Sequence, residues 1–415
     1  MHLLFPAVLR VQFLTSMKNN LKTLKTALKT LTVFCELKSD EVISAFSRCL
    51  EAIDSENAEA SVEAYCQFVS AFYKTGFESL GKYIEYVVCN NENIYVKTVG
   101  QGKTPHVKIW ESVKNELSVL QTVADTASNS LTSQINWSGF LPEYVSGGAD
   151  ILPGFVHRSK NIQKYGYGQY AKNRMFFIDN ENRIVPVKNP DETALSSLIG
   201  YEAERKIILD NSRALLNGKP AANILLTGDA GTGKSSSVKA VANSLADQGL
   251  RIIEIRKDQL SIIPSILDEL SQNPLKFILF IDDISFKKDD DNFNALKAVL
   301  EGSVSAKSKN VIIYATSNRR HIVNERFSER EGDEIHRNDT IQEMVSLSER
   351  FGIHVLFQKP NKENFLNIVS KLAAKSGINI EEKELFLLAE RYALERGGRS
   401  PRLAKQFVEN LVSAK

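Results

Sequence analysis

Apolar residues recur at helical spacing through the first third of the chain, from residue 17 to about residue 135. The clearest stripe consists of Leu21, Leu24, Leu28 and Leu31. Their spacing of three or four residues places all four side chains on one face of an α-helix. The helical stretches that follow contain no residues at catalytic spacing. We therefore predict an N-terminal, mostly α-helical domain over residues 1–137.

A stripe of basic residues lies beside this leucine face. It consists of Lys18, Lys22, Lys25 and Lys29. A basic amphipathic helix can dock on an anionic surface, but basic faces are also common on helices that simply expose them to water. We favour the second interpretation.

Residues 138–195 differ in character, because glycine, proline and tyrosine become frequent up to about residue 170. This composition predicts a linker. Its tyrosines, together with Lys160 and Lys164, are residue types that stack on and neutralise nucleic acids. We favour instead tyrosines that pack on a neighbouring domain. Two β-rich runs within residues 174–187 predict a hairpin, and Pro186 limits its second strand to a sheet edge.

From about residue 223, short apolar runs alternate with helical segments. The candidate strands are residues 223–227, 252–255, 277–281, 311–315 and 353–357. Such alternation predicts a parallel sheet covered by helices on both faces. We expect an α/β core over residues 196–358, and the remaining residues, 359–415, are helical in pattern.

Composition narrows the classes of protein without naming a function. The chain has 415 residues, of which 43% are apolar and 25% charged, and this excludes wholesale disorder. A net charge of +2 gives no global sign of nucleic-acid binding, so any such contact has to come from a local patch. No apolar run approaches the roughly 20 residues of a membrane span, and the N-terminal residues lack the pattern of a signal peptide.

The four cysteines are Cys35, Cys49, Cys66 and Cys89. Their spacing fits neither a zinc site nor a redox motif. We expect buried free thiols in a reducing compartment, and hence a cytoplasmic protein.

Residues 228–235 carry the strongest chemical signal. They read GDAGTGKS, match GxxxxGK(S/T), and stand between an apolar run and a helical segment. Glycines here let backbone N–H groups surround phosphate oxygens at a helix N-terminus. Lys234, on a loop expected to be solvated, reaches the β- and γ-phosphates, and Ser235 binds Mg²⁺. The predicted phosphate-binding residues are Gly228, Asp229, Ala230, Gly231, Thr232, Gly233, Lys234, Ser235 and Ser236.

A second signal follows the apolar run 277–281, which ends in Asp282 and Asp283. Carboxylates at the C-terminal end of a parallel strand face the ligand crevice. We expect Asp282 to hold Mg²⁺ through water and Asp283 to polarise the attacking water. ATP and Mg²⁺ are therefore the expected ligands.

With both motifs in place, residues 155–415 resemble the AAA+ division of P-loop ATPases. They resemble still more closely an uncharacterised bacterial family of AAA-type ATP-binding proteins. The resemblance rests on the segments IDDISF, LKAVLEGS, YATSNRRH, SLSERFG and GGRSPRLAKQF. It implies a parallel five-stranded P-loop core with a C-terminal helical lid at residues 359–415.

The resemblance also implies roles for residues outside the two motifs. Asn318 corresponds to the sensor that orients water against the γ-phosphate. Arg350 corresponds to the arginine that enters a neighbouring subunit's site, which implies a homo-oligomer. Arg319 and Arg320 compete for that role, and a surface ion pair is the plainer alternative for any one arginine.

The lid and the segment before the core supply the remaining candidates. Ser400 is a plausible N-cap for the last helix, which places Arg402 in its first turn. Arg402 resembles the sensor arginine that contacts the γ-phosphate of its own subunit, and Arg399 is the alternative. Ile199 and Tyr201 resemble the residues that flank the adenine base.

Two departures from the family pattern qualify the function. Asp283 stands where most AAA+ proteins have glutamate, and the residues after Ile255 lack the aromatic-glycine loop of protein unfoldases. We expect a Mg²⁺-dependent ATPase that remodels or loads a protein or nucleic-acid partner. The alternative is an ATP-switched binding or scaffold protein with little turnover.

Overall fold

The computed structural model describes residues 20–284, 291–301, 309–318 and 349–413. The chain divides into two compact units, Met1–Lys172 and Asn173–Lys415. The sequence prediction ended the helical domain earlier, at residue 137. The division falls later because residues 151–172 are largely helical and contribute buried side chains to the core of the first unit.

The first unit consists of α-helices around one apolar core. They are α1 (20–29), α2 (Glu41–Asp54), α3 (Ala58–Lys74), α4 (Leu80–Cys89), α5 (Ile94–Gly100), α6 (Val107–Asp125), α7 (Ser128–Thr132), α8 (Ile151–Lys160), α9 (Ile162–Tyr165) and α10 (Gln169–Lys172). Side chains cap several N-termini: Asp40 accepts from the α2 amides, Asn57 from α3 and Ser79 from α4. Each cap satisfies backbone N–H groups that the helix itself leaves unpaired.

The predicted leucine stripe faces this core. Leu21, Leu24, Leu28 and Leu31 are all buried. The lysines beside it bind the carboxylates of α2: Lys22 and Lys25 contact Asp54, and Lys29 contacts Glu51. Lys18 lies outside the described residues. The described lysines are therefore paired within the unit rather than gathered into a free basic face.

The tyrosines of the predicted linker pack inside the first unit. Tyr144 and Tyr167 are buried in its core, and the Tyr144 hydroxyl donates to the Thr126 carbonyl over 2.9 Å. Buried phenol groups that find an acceptor strengthen a core. The favoured interpretation, tyrosines that pack rather than bind a nucleic acid, thus holds for these two side chains. Tyr165 differs, because its side chain is only half-buried.

The cysteines are free, and their burial varies. Cys49 is buried, and burial raises the pKa of its thiol to about 12. Cys35 is exposed, so the prediction of a buried thiol is wrong at that position.

The second unit is built on one sheet. Its strands are β1 (Met175–Ile178), β2 (Ile184–Pro186), β3 (Ile224–Gly228), β4 (Leu250–Ile255), β5 (Lys276–Ile281), β6 (Val311–Ser317) and β7 (Ile353–Phe357), in the order β2-β1-β4-β5-β6-β3-β7. Strands β3 to β7 are parallel, as predicted. The predicted hairpin adds two more strands: β1 runs parallel to β4, and β2 is antiparallel to β1 at the edge.

Helices cover this sheet and follow it. They are α11 (Glu202–Leu216), α12 (Lys234–Leu245), α13 (Ile263–Leu270) and α14 (Asp291–Glu301), followed by the lid helices α15 (Lys362–Lys375), α16 (Glu382–Glu395) and α17 (Pro401–Ser413). The lid has its own small core, centred on Phe365 and Ala389. None of the helices in the described ranges has the length and apolar character that a membrane span requires.

The strand order fixes where a ligand can bind. β3 lies between β6 and β7. The strands that follow β3, from β4 to β6, are therefore placed to one side of it, and the last strand, β7, is placed on the other. In open parallel sheets, such a switch point forms a crevice outside the carboxyl ends of the strands. The segment after β3 and the carboxylates after β5 end at this same edge. The unit is thus an α/β P-loop core with a helical lid, as the resemblance implied.

Candidate active site

The loop between β3 and α12 has a backbone that only glycine supplies easily. Gly228 has φ of 133°, and a Cβ there would lie 2.1 Å from the Phe357 carbonyl oxygen of β7. Gly233 has φ of 92° and caps α12, with no heavy atom within 4 Å of a Cβ built on it. Because both angles are left-handed, side chains are disfavoured there. The loop therefore keeps open space at a helix N-terminus, where anions bind.

The Lys234 side chain folds back and binds the carbonyl oxygens of its own loop. Its Nζ donates to the carbonyl oxygens of Gly228 and Asp229, both over 2.8 Å, and to Oδ1 of Asn318 over 3.0 Å. The side chain is buried, so the predicted solvated position is wrong. Burial lowers the pKa of its amine, and the carboxylates of Asp229, Asp283 and Asp282 oppose that shift.

Ser235 and Asp282 meet at the other side of the loop. The Ser235 hydroxyl donates to Oδ1 of Asp282 over 2.6 Å. Hydroxyl and carboxylate oxygens are the ligands that Mg²⁺ prefers, and this ion typically takes one or two protein carboxylates and completes its shell with phosphates and water. Among the described residues, no group of three or more His, Cys, Asp or Glu side chains is arranged for a metal. This donor pair therefore fits a Mg²⁺ ion shared with a phosphate ligand.

Asp283 has an unusual backbone. Its φ is 55°, in the left-handed region, and its N–H donates to the Thr316 hydroxyl over 2.8 Å. Asn318 Nδ2 donates to its Oδ1 over 2.7 Å. Aspartate and asparagine tolerate this region better than longer side chains do. The backbone thus gives a physical reason for aspartate where most AAA+ proteins carry glutamate.

Thr316 is a site residue that sequence reasoning missed. Its hydroxyl donates to Oδ1 of Asp282 over 2.6 Å and accepts the N–H of Asp283. A buried hydroxyl needs such partners to offset its lost hydration. The signal was a pair of small hydroxyl side chains, Thr316 and Ser317, at the end of a mostly apolar strand, since β6 reads VIIYATS.

The two residues predicted to flank the adenine base, Ile199 and Tyr201, pack against different apolar cores. Tyr201 stacks on Phe357, with ring centroids 5.1 Å apart, and its hydroxyl donates to the Gln358 carbonyl. Burial raises the pKa of that phenol to about 12, with smaller contributions from Glu204 and Asp229. Ile199 packs against the apolar core of the lid. The segment 199–201 therefore contacts both the core strand next to the P-loop and the lid.

The lid delivers Arg402 to the loop. Its backbone N–H donates to the Gly231 carbonyl over 3.2 Å. Ser400 caps the helix as predicted, accepting the N–H of Leu403 over 3.2 Å. Arg399, the alternative, instead donates to both carboxylate oxygens of Glu390 over 2.9 and 2.6 Å. Of the two candidates, Arg402 adjoins the phosphate loop.

We expect Arg402→Ala and Arg399→Ala to fail in different ways. Loss of Arg402 removes a cation beside the loop, so nucleotide affinity should fall by about tenfold, the effect of one charge-assisted contact. Loss of Arg399 leaves Glu390 without its bidentate partner. The variant should therefore unfold at a lower temperature and keep most of its affinity for nucleotide. Calorimetric titration and thermal unfolding of both variants separate the two effects. Equal losses of affinity in the two variants would contradict the assignment.

Arg350 lies before the N-terminal end of β7, whereas the P-loop follows the C-terminal end of β3. In the parallel pair β3–β7, Ile224 stands beside Ile353 and Gly228 beside Phe357. Arg350 precedes β7, whose rise alone is about 13 Å, so it lies too far away to reach its own P-loop. Its competitors Arg319 and Arg320, and residues 346–348 of its motif, lie outside the described residues.

Residues 171–415 match the family described as "Protein of unknown function (DUF815)", and the match covers more than half of the chain. With the P-loop core and lid, this match confirms the resemblance to an uncharacterised family of AAA-type proteins. A comparison with curated proteins finds no match.

Solved structures show a distant likeness. Thermotoga maritima RuvB, described as a Holliday junction branch migration motor, is 17% identical with a TM-score of 0.37 over 53% of this chain and 64% of that chain. AMPPCP-bound DnaA from Aquifex aeolicus is 17% identical with a TM-score of 0.36 over 55% of this chain and 64% of that chain. The chain thus spans less than two thirds of either relative.

Proposed function

The chain belongs to the DUF815 family, and we propose that it binds ATP with Mg²⁺ at the P-loop and hydrolyses the nucleotide. One observation carries the proposal: a continuous hydrogen-bonded network joins the loop to the ends of β5 and β6. Lys234 binds Asn318, which binds Asp283, while Ser235 binds Asp282. Side chains from distant parts of the chain converge where a nucleotide's phosphates would lie.

The loop and Lys234 act on the phosphates. Backbone N–H groups around Gly231 and Gly233 and the N-terminus of α12 attract negative charge. The Lys234 ammonium exchanges its carbonyl acceptors for phosphate oxygens, which are stronger acceptors because they are charged. Ser235 and Asp282 would hold a Mg²⁺ ion, which would neutralise charge on the phosphates.

Asp283 and Asn318 act on the attacking water. The Asp283 carboxylate accepts a proton as the water approaches, and Asn318 fixes the carboxylate through its Nδ2 contact. General-base catalysis of this kind contributes about 10²- to 10⁴-fold. The Thr316 hydroxyl holds the backbone of Asp283 and the side chain of Asp282 together.

We expect Asp283→Asn to bind MgATP as the wild type does and to hydrolyse it about 100-fold or more slowly. Asparagine tolerates the left-handed backbone and still accepts the hydrogen bond from Asn318, so the site keeps its shape. Its amide, however, cannot accept the proton of the water. Steady-state phosphate release, alongside calorimetric binding, measures both quantities.

Asp258→Asn is a matched control, because Asp258 is exposed and carries the same charge outside this network. It should leave both quantities unchanged. Wild-type turnover in Asp283→Asn would assign the base to another residue.

A second function, a nucleotide-switched binding or scaffold protein, has one observation in its favour. The shorter Asp283 is already engaged by Asn318 and by a constrained backbone, which limits its reach to a water. Steady-state turnover of the wild type decides between the two. Tight MgATP binding with turnover no faster than that of Asp283→Asn would favour the switch.

We further propose that the protein works as a homo-oligomer that remodels or loads a protein or nucleic-acid partner. The position of Arg350, away from its own P-loop, supports a contact in trans. The lid supports coupling to nucleotide, since Arg402 adjoins the loop while Ile199 packs in the lid core. Binding and release of phosphates would therefore move the lid.

A further inference from the structure

Basic residues gather on the first unit within a stretch that lacks acidic ones. Residues 151–172 contain four lysine or arginine residues and no aspartate or glutamate, although the whole chain carries a net charge of only +2. All of these residues are described. The net charge of this stretch, +4, is thus twice that of the whole protein, and it lies in α8, α9 and α10.

The structure brings several of these cations around one aromatic ring. The Arg158 guanidinium carbon lies 4.8 Å from the centroid of the Tyr165 ring, and Lys164 Nζ lies 5.4 Å from it. The His157 ring is 5.8 Å away, and its Nε2 lies 3.3 Å from the Tyr165 hydroxyl. Lys160 is exposed at the end of the same helix. We call His157, Arg158, Lys160, Lys164 and Tyr165 the α8–α9 basic cluster.

Arg158 is held in place with a donor unused. Its Nη2 donates to Oδ1 of the buried Asn90 over 2.8 Å. Asn90 is itself fixed by donating to the Tyr86 carbonyl and by accepting the Gly168 N–H at its own carbonyl. The Nε of Arg158 is buried and has no acceptor among the described residues. Because this Nε is buried, an outside ligand meets the half-buried guanidinium through its charge, which Asn90 fixes beside the Tyr165 ring.

No described carboxylate neutralises the cluster. The ion pairs within 4.0 Å in the described ranges include none to Arg158, Lys160 or Lys164. Two carboxylates beside this stretch are paired with lysines outside it: Glu85, next to Gly154, binds Lys82, and Glu92, next to Gly168, binds Lys97. Asp150 stands at the other end of α8 from the cluster. The lysine stripe of α1 provides the contrast, since its described members pair with Asp54 and Glu51. The basic charge of the cluster is therefore available to a partner.

From these observations we infer that the α8–α9 basic cluster binds the phosphate backbone of single-stranded nucleic acid. Cations beside a half-exposed aromatic ring are the combination that such strands recognise, through phosphates and stacked bases. The cluster has three permanent cations, Arg158, Lys160 and Lys164, so we expect it to contact about three phosphates.

An anionic membrane is the less suitable partner. Helices that lie on membranes bury a broad apolar face beside their basic residues. Within residues 151–172, all described, Leu152 is the one exposed large apolar side chain. The cluster therefore has the positive charge that binding to an anionic membrane requires, but residues 151–172 expose too little apolar surface to enter the membrane.

The test measures fluorescence anisotropy of a labelled oligothymidylate of about 20 nucleotides, titrated with the full-length protein. Contact with about three phosphates predicts a slope near −2 for the logarithm of affinity against the logarithm of salt, or about 15-fold weaker binding at 200 than at 50 mM salt. Lys160→Ala/Lys164→Ala should weaken binding at least tenfold and flatten the slope. Tyr165→Leu should weaken binding, whereas Tyr165→Phe, which keeps the ring, should not.

The matched control is Lys22→Ala/Lys29→Ala, which removes the same two charges from exposed side chains that are already paired. It should bind as the wild type does. Equal losses in the two double variants would overturn the inference in favour of a general charge effect. Absence of binding to the oligonucleotide would overturn it outright. Binding to phosphatidylserine vesicles in place of the oligonucleotide would assign the cluster to a membrane.

Discussion

Lys234→Ala should lower the affinity for ATP by at least about 100-fold. The ammonium makes charge-assisted hydrogen bonds to phosphate, each worth about 1.5–3 kcal/mol. Two such bonds are worth about 3 kcal/mol or more, which exceeds the roughly 2.8 kcal/mol of a 100-fold change in affinity. Because Lys234 is buried against the Gly228 and Asp229 carbonyls, its removal also takes a donor from each of those oxygens, although the Asp229 carbonyl keeps the Thr232 hydroxyl. We therefore expect stability to fall by about 1–3 kcal/mol as well.

Lys234→Met separates these two effects, because methionine keeps much of the stem without the ammonium. It should lose ATP binding as Lys234→Ala does, while unfolding at a temperature nearer that of the wild type. Lys239→Ala is the matched control on the same helix, since Lys239 pairs with Glu254 and lies outside the phosphate network. Calorimetric titration measures affinity, and thermal unfolding measures stability. Unchanged affinity in Lys234→Met would contradict the phosphate-binding role of the loop.

The sequence was most informative where local chemistry dictates structure. The P-loop sequence could be assigned because its glycines, lysine and serine recur at a fixed spacing that the phosphate site requires. The apolar runs that became β3, β5 and β6 were equally clear, because strands buried on both faces are almost continuously apolar. The hairpin was predicted too, but not its place: β1 joins the sheet beside β4 through long-range pairing, which no local pattern specifies.

The site contained features that spacing does not reveal. The burial of Lys234 arises from carbonyls of its own loop and from Asn318, which is brought close only when β6 lies beside β3. Thr316 acquires its role in the same way. The left-handed backbone of Asp283 depends on how the chain turns after β5. The sequence therefore showed that aspartate replaces the usual glutamate, but not the backbone conformation that favours it.

Arg350→Ala should reduce turnover by about 10³-fold, the lower end of the effect of an arginine supplied in trans, and leave ATP affinity nearly unchanged. The reason is geometric: Arg350 lies before β7 at the edge of the sheet opposite the P-loop of its own chain. A trans contact requires subunits to meet, so wild-type turnover per subunit should rise with protein concentration. In Arg350→Ala this dependence should disappear. Steady-state phosphate release over a range of protein concentrations measures both effects.

A mixture of two inactive variants tests the trans contact directly. Arg350→Ala subunits keep an intact P-loop and Lys234→Met subunits keep an intact Arg350, so an interface between the two kinds pairs a working site with a working arginine. The mixture should recover turnover that neither variant has alone. Lys234→Met/Arg350→Ala subunits are the control, because they offer neither part and should restore nothing to Arg350→Ala. Absence of recovery, together with wild-type turnover that is independent of concentration, would make Arg350 a structural residue and the protein a monomeric ATPase or switch.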